Sequence, residues 1–241
     1  NYLNIATVGH VKTGKSTLIN SLRGLRATHP LGAPVGVGEV TTEAKCYDFH
    51  ETLPNVKLYD FPGAGTISHP EENYFFRNGL CFLDVIIVML QATMCVEEIN
   101  LTRDAIRYNV PVIFVRSKMD SIFDDMYHDE KINDKSQETA NQVLRELKEK
   151  HRRYVSEHAK DLLHVPIYHI SSRSVYKIMD FINSRVYETN PEAAVSLQRL
   201  INFEERQFFE ELLTRTEERL TPGGRRVSLY NDFPTTSRNE T

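Results

Sequence analysis

The sequence predicts an α/β fold of three layers, doubly wound around a mostly parallel sheet, with a C-terminal helical extension. Three observations carry this. Short, continuous, β-rich runs recur at wide, regular intervals, the pattern of strands buried on both faces. Helical patterns fill the intervals, which implies right-handed βαβ crossovers. A glycine-rich turn joins the first strand to the first helix.

In chain order, Leu3–Val8 reads as the first strand and Lys15–Leu25 as a helix with Leu18, Ile19, Leu22 and Leu25 on one side. A loop rich in Gly and Pro, Thr28 to Gly38, leads to two adjacent strands, Thr42–Phe49 and Val56–Phe61. No helix separates them, so they are expected to pair antiparallel at a sheet edge. Val85–Leu90, Pro111–Arg116 and Pro166–Ile170 complete the strands. Val96–Asn109, Asp134–Asp161 and Val175–Tyr187 are the intervening helices.

A last helix is expected from Pro191 to about Leu220. Pro191 suits a first helical turn, Leu197, Ile201, Phe208 and Leu212 form an apolar stripe, and Thr221–Gly224 stops it. These readings divide the chain into a main α/β domain over residues 1–188, a helical extension over 189–221 and a polar, disordered tail over 222–241.

The balance of 40% hydrophobic against 26% charged residues fits a globular core and argues against a disordered chain. A net charge of −4 gives no electrostatic reason to expect nucleic acid as a partner. Cys46, Cys81 and Cys95 lack CxxC spacing, which points to a reducing, cytoplasmic setting and away from a disulfide framework. No apolar run reaches the roughly 20 residues a membrane span needs.

The strongest chemical signal is Gly9-His10-Val11-Lys12-Thr13-Gly14-Lys15-Ser16, a GxxxxGKS phosphate loop. Its glycines let backbone N–H groups turn onto phosphate oxygens, and the helix behind presents its positive end. Lys12, Thr13 and Thr17 belong to the same cradle. Lys15 should reach the β- and γ-phosphates, and the Ser16 hydroxyl should ligate Mg²⁺. Asp60-Phe61-Pro62-Gly63 closes the Val56–Phe61 strand. There Asp60 can hold the magnesium through a water while the Gly63 N–H senses the γ-phosphate. That end of a strand is where open α/β sheets bind ligands.

Ser117-Lys118-Met119-Asp120 selects the base. The Asp120 carboxylate can accept both the N1–H and the 2-amino group of guanine, and Lys118 can lay its stem along the ring. Ser117 stands where Asn or Thr is usual. Ser171-Ser172-Arg173, after the last strand, occupies the place of a loop that meets the guanine oxygen through a backbone N–H. Thr41 and Thr42 both qualify to complete the magnesium shell, and Gly36 and Gly38 give that segment the freedom of a switch.

No Cys or His cluster has zinc spacing. His10 reads equally as a residue near nucleotide or as a solvent-exposed loop histidine. Lys148, Lys150, Arg152 and Arg153 alternate with Glu146 and Glu149 and read as a solvated helix face.

With these motifs in place, the chain from Tyr2 to Arg185 resembles the GTPase domain of an immunity-related GTPase, the interferon-inducible p47-type, GKS subgroup. The resemblance extends to Ile19–Leu25, Gly36–Thr41, Pro54–Gly65 and Phe114–Asp120. It implies Thr41 as the switch threonine and Lys15 as the active lysine. It further implies GTP and GDP as ligands and a homodimer or homo-oligomer formed through the nucleotide faces in the GTP state. Glu39 would lie near that partner. Peripheral association with intracellular membranes, through regions outside this chain, and a part in cell-autonomous immunity are implied as well.

Ala64 sits where many small GTPases carry the glutamine that orients the attacking water. Slow intrinsic turnover is therefore expected, with the missing groups supplied by a partner. The alternative is a nucleotide-gated binding module with negligible turnover. A housekeeping GTPase acting on ribosome or tRNA fits less well, because the surface is slightly acidic.

Overall fold

The computed structural model describes residues 2–36, 43–63, 74–185 and 202–220. Strand β1 (Leu3–Gly9) feeds helix α1 (Lys15–Leu22), followed by β2 (Lys45–His50) and β3 (Leu53–Asp60). A short α2 (Tyr74–Arg77) precedes β4 (Val85–Leu90), α3 (Val96–Arg107), β5 (Val112–Arg116) and α4 (Met119–His128). The long α5 (Gln137–His158), β6 (Ile167–His169), α6 (Ser172–Ser184) and α7 (Glu205–Leu220) complete the described elements.

The six strands lie in the order β2-β3-β1-β4-β5-β6. All neighbours are parallel except β2 and β3, the antiparallel pair at the edge. Alternation along the central strands divides the core in two. Ile86, Val88 and Leu90 of β4 and Val112 and Phe114 of β5 face α3 and the end of α5. Val85, Ile87 and Met89, with Ile113 and Val115, face α1, α6 and α7. Every residue of β4 is buried, as a central parallel strand covered on both faces requires.

Several elements depart from the sequence expectation, among them α2, which has no counterpart there, and three departures have a clear physical reason. Helix α1 stops at Leu22, short of Leu25, because Gly24 turns left-handed at φ +63°. The Gly24 N–H then donates to Ser21 O at 3.0 Å and the Leu25 N–H to Asn20 O at 2.9 Å, which satisfies the last carbonyls of the helix. Helix α4 begins at Met119, inside the Ser117–Asp120 segment, in a stretch to which the sequence pattern assigns no helix. Met119, Ile122, Phe123 and Met126 have helical spacing and pack on α5. Its N-cap is Lys118 in the left-handed region, with no side-chain cap to announce it.

The third departure is the last helix. Pro191, Leu197 and Ile201 lie outside the described residues, as do Thr221–Gly224 and the tail. Residues 202–204 are not helical, so the helix expected to run unbroken to Leu220 begins instead at Glu205. The reason is a docking contact at the end of β6. The Glu204 N–H donates to His169 O at 3.1 Å, and its carboxylate accepts the His169 N–H at 3.0 Å and pairs with Lys148. The fully buried Glu205 accepts N–H bonds from Ser171 at 2.8 Å and Phe203 at 2.9 Å. Phe208, Phe209 and Leu212 then enter the same core as α1 and α6.

Glu205→Ala should strand both N–H groups in the interior and lower unfolding stability by about 2–3 kcal/mol. A denaturant midpoint shift at constant slope is the check.

Candidate nucleotide-binding site

The site starts from backbone geometry. Gly9 ends β1 at φ +133°, and a Cβ there would lie 2.4 Å from the carbonyl oxygen of Met89 on β4. Lys12 at φ 67° and Gly14 at φ 97° are also left-handed. Left-handed residues set among right-handed ones make the concave run of N–H groups that suits anions. Helix α1 carries neither a side-chain cap nor an acidic residue in its first turn, so its N-terminal N–H groups and positive end remain for a ligand.

Lys15 is only 7% exposed, and its ammonium donates to Gly9 O at 3.1 Å and His10 O at 2.9 Å. Burial lowers its pKa, opposed by the nearby Asp60 and Glu98 carboxylates. Thr13 Oγ1 donates to His10 O at 2.8 Å and tightens the same turn. Ser16 Oγ, in the first turn of α1, donates to Asp60 Oδ2 at 2.5 Å, and Asp60 is 1% exposed. Thr17 follows, its carbonyl accepting from Ser21 Oγ at 2.9 Å. A hydroxyl beside a buried carboxylate is an all-oxygen donor set that fits Mg²⁺.

The segment after Asp60 is pressed against the loop. A Cβ on Gly63 would lie 2.7 Å from Val11 Cγ2 and 3.0 Å from Val11 N. The Tyr74 hydroxyl donates to Pro62 O at 2.6 Å and fixes the turn from the far side. Burial, then the Asp60 carboxylate, push the Tyr74 phenol well above its usual pKa, which keeps it a donor.

The second motif meets the same loop. Ser117 Oγ donates to Thr13 O at 2.8 Å, and Lys118 Nζ to Lys12 O at 3.0 Å. A Cβ on Gly14 would sit 3.0 Å from Ser117 Oγ, so the short serine suits this close approach. Asp120 lies in the first turn of α4, its side chain 25% exposed and 3.4 Å from the Arg173 guanidinium. Ser171 caps α6 by accepting the Ser174 N–H, while its own N–H goes to Glu205. Ser172 and Arg173 open the first turn of α6, with Ser172 buried and Arg173 exposed. Ser172 Oγ is buried and makes no hydrogen bond among the described residues.

Gly9, Lys12, Thr13, Gly14, Lys15, Ser16, Asp60, Gly63 and Lys118 thus converge on one loop, with Asp120 and Arg173 paired behind Lys118. Thr41, Thr42, Glu39 and Ala64 lie outside the described residues. Sequence reasoning did not anticipate Tyr74, the Ser117 tie or Glu205. Each acts across a long sequence separation and belongs to no local motif.

The fold and this loop define a P-loop nucleotide-binding domain. The interferon-inducible GTPase family matches residues 1–196, and the chain belongs to that family. T-cell-specific guanine nucleotide triphosphate-binding protein 2 of Mus musculus is 30% identical over 177 residues, covering 73% of this chain and 40% of that protein. Interferon-gamma-inducible GTPase 10 of Mus musculus is 33% identical over 129 residues, covering 54% of this chain and 30% of that protein. The chain therefore spans less than half the length of these curated relatives. Among solved structures, a bacterial selenocysteine-specific elongation factor EF-Sec aligns with TM-score 0.47 and 19% identity, over 79% of this chain and 29% of that one.

Proposed function

We propose that this domain binds guanine nucleotide with Mg²⁺ and hydrolyses GTP to GDP and phosphate, slowly alone and faster when two nucleotide faces meet. The observation that carries the reading is the convergence of Lys15, the Ser16–Asp60 pair and the Ser117–Asp120 segment on one phosphate loop. Lys15 would leave the Gly9 and His10 carbonyls for the β- and γ-phosphate oxygens, where a partly desolvated ammonium has most to gain. Ser16 would hold the magnesium directly and Asp60 through a water. The metal would neutralise charge on the transferring phosphoryl group. Thr41 would complete that shell, and the Gly63 N–H would meet the γ-phosphate. Ser172 and Arg173 would offer N–H groups to the guanine oxygen.

Ala64 cannot orient a water, so the lone domain lacks one part of the usual machinery. A second copy would supply that part across a GTP-bound homodimer. Through segments outside this chain, such a protein would act at the surface of intracellular membranes in immunity.

The test is GTP turnover with Mg²⁺ across a wide range of protein concentrations, with ATP as competitor. The expected result is a rate per molecule that climbs with concentration and ignores ATP. A flat rate near that of the uncatalysed reaction, beside tight GTP binding, would instead make the domain a nucleotide-gated binding module.

A further inference from the structure

β1 and β4 are parallel neighbours, with Gly9 opposite Met89, so the segments that follow them leave the same edge of the sheet side by side. This places His10 beside the start of α3, where Cys95 is the N-cap and Glu97 lies in the first turn. One ligand atom from each of His10, Cys95 and Glu97, all three half-buried, lies within 4.8 Å of the others. The Cys95 thiol hydrogen-bonds Glu97, and it is not disulfide-bonded. The three come from two segments far apart in sequence, so no zinc spacing marks them.

The geometry points to a second metal site in this domain, formed by His10, Cys95 and Glu97 and suited to Zn²⁺ or a similar borderline cation. The donor set decides the class of metal. One sulfur, one imidazole nitrogen and one carboxylate oxygen suit Zn²⁺, whereas Mg²⁺ and Ca²⁺ take oxygen. It is therefore chemically distinct from the Ser16–Asp60 pair.

Bond lengths near 2.0–2.3 Å set tetrahedral ligand separations of about 3.3–3.7 Å. The observed spread closes to that by small rotamer adjustments of three half-buried side chains. Charge closes too: a thiolate and a carboxylate balance a dication, with neutral imidazole third and water fourth. On binding, the thiol proton is released to solvent and the cation takes its place between Cys95 and Glu97. The N-terminus of α3 favours the two anionic ligands at these positions. Cys95 keeps its second role, because its sulfur already accepts the backbone N–H of Glu98 and a thiolate accepts it better.

Co²⁺ titration of the Mg²⁺-saturated protein, with Zn²⁺ as competitor, tests the site. The expected result is one Co²⁺ per chain, a thiolate-to-cobalt charge-transfer absorption and its loss on adding Zn²⁺. Cys95→Ser should abolish the absorption while leaving the fold intact, since serine is a good N-cap. Glu97→Gln and His10→Gln should each weaken Zn²⁺ by at least about tenfold. Cys46→Ser and Cys81→Ser should change nothing. Absence of the thiolate absorption, or its survival in Cys95→Ser, overturns the assignment. The readout needs no nucleotide, so it stands or fails apart from the GTPase reading.

Discussion

Asp120→Asn is expected to weaken GTP binding by roughly 10³–10⁴-fold and to raise affinity for xanthosine triphosphate. The argument is one of donors and acceptors. A carboxylate accepts both the N1–H and the 2-amino group of guanine. An amide presents its NH₂ to one of them, so two donors face each other and a buried group goes unpaired. Xanthine carries an oxygen at that position, and the amide then matches both edges. A site built to hydrogen-bond one partner rejects the mismatch by 10⁴–10⁵ where it is fully enclosed. The Asp120 side chain is 25% exposed, so the expected range lies lower. The variant also loses the ion pair with Arg173, but that guanidinium is 80% exposed and the loss is small. Competition binding with GTP and xanthosine triphosphate reads the result, and an unchanged base preference would refute the role of Asp120.

The Ser117–Asp120 segment shows how much of the site was legible in the sequence. Its residue types and its place after a buried strand point to guanine, and the structure puts Lys118 on the phosphate loop, with Asp120 in the next turn. What the sequence did not disclose is the means of attachment. The Ser117 hydroxyl that reaches Thr13 O, the Tyr74 hydroxyl on Pro62 O and the Glu205 carboxylate on the Ser171 N–H all span long separations. Periodicity and local motifs report neighbours along the chain, whereas these bonds depend on which strands the fold makes adjacent.

The same distinction explains the fold. β4 and β5 were readable because burial on both faces leaves an unbroken apolar run. The antiparallel edge pair was readable because nothing between β2 and β3 is long enough to cross over. Helix α4 was missed because it starts at a left-handed lysine with no side-chain cap. The start of α7 was missed because two glutamates that look like ordinary helix formers are spent on the end of β6.

Lys15→Ala should lower GTP turnover by roughly 10³-fold at saturating nucleotide, with little change in folding stability. Loss of a single preorganised donor to developing charge costs about 10²–10³ in rate, and Lys15 carries a full charge in a largely desolvated place. Lys15 is only 7% exposed, and burial already lowers its pKa. The folded domain therefore gains little from the cation itself. Removal leaves the Gly9 and His10 carbonyls short of one donor each, a lesser cost than orphaned N–H groups. The His10 carbonyl still receives the Thr13 hydroxyl. Stability and turnover should thus separate: an unfolding midpoint close to that of the parent, beside a collapsed rate and weaker GTP binding. A variant that loses both together would mean that Lys15 chiefly braces the loop. One that keeps its turnover would show that the phosphate loop of this chain is not where GTP is hydrolysed.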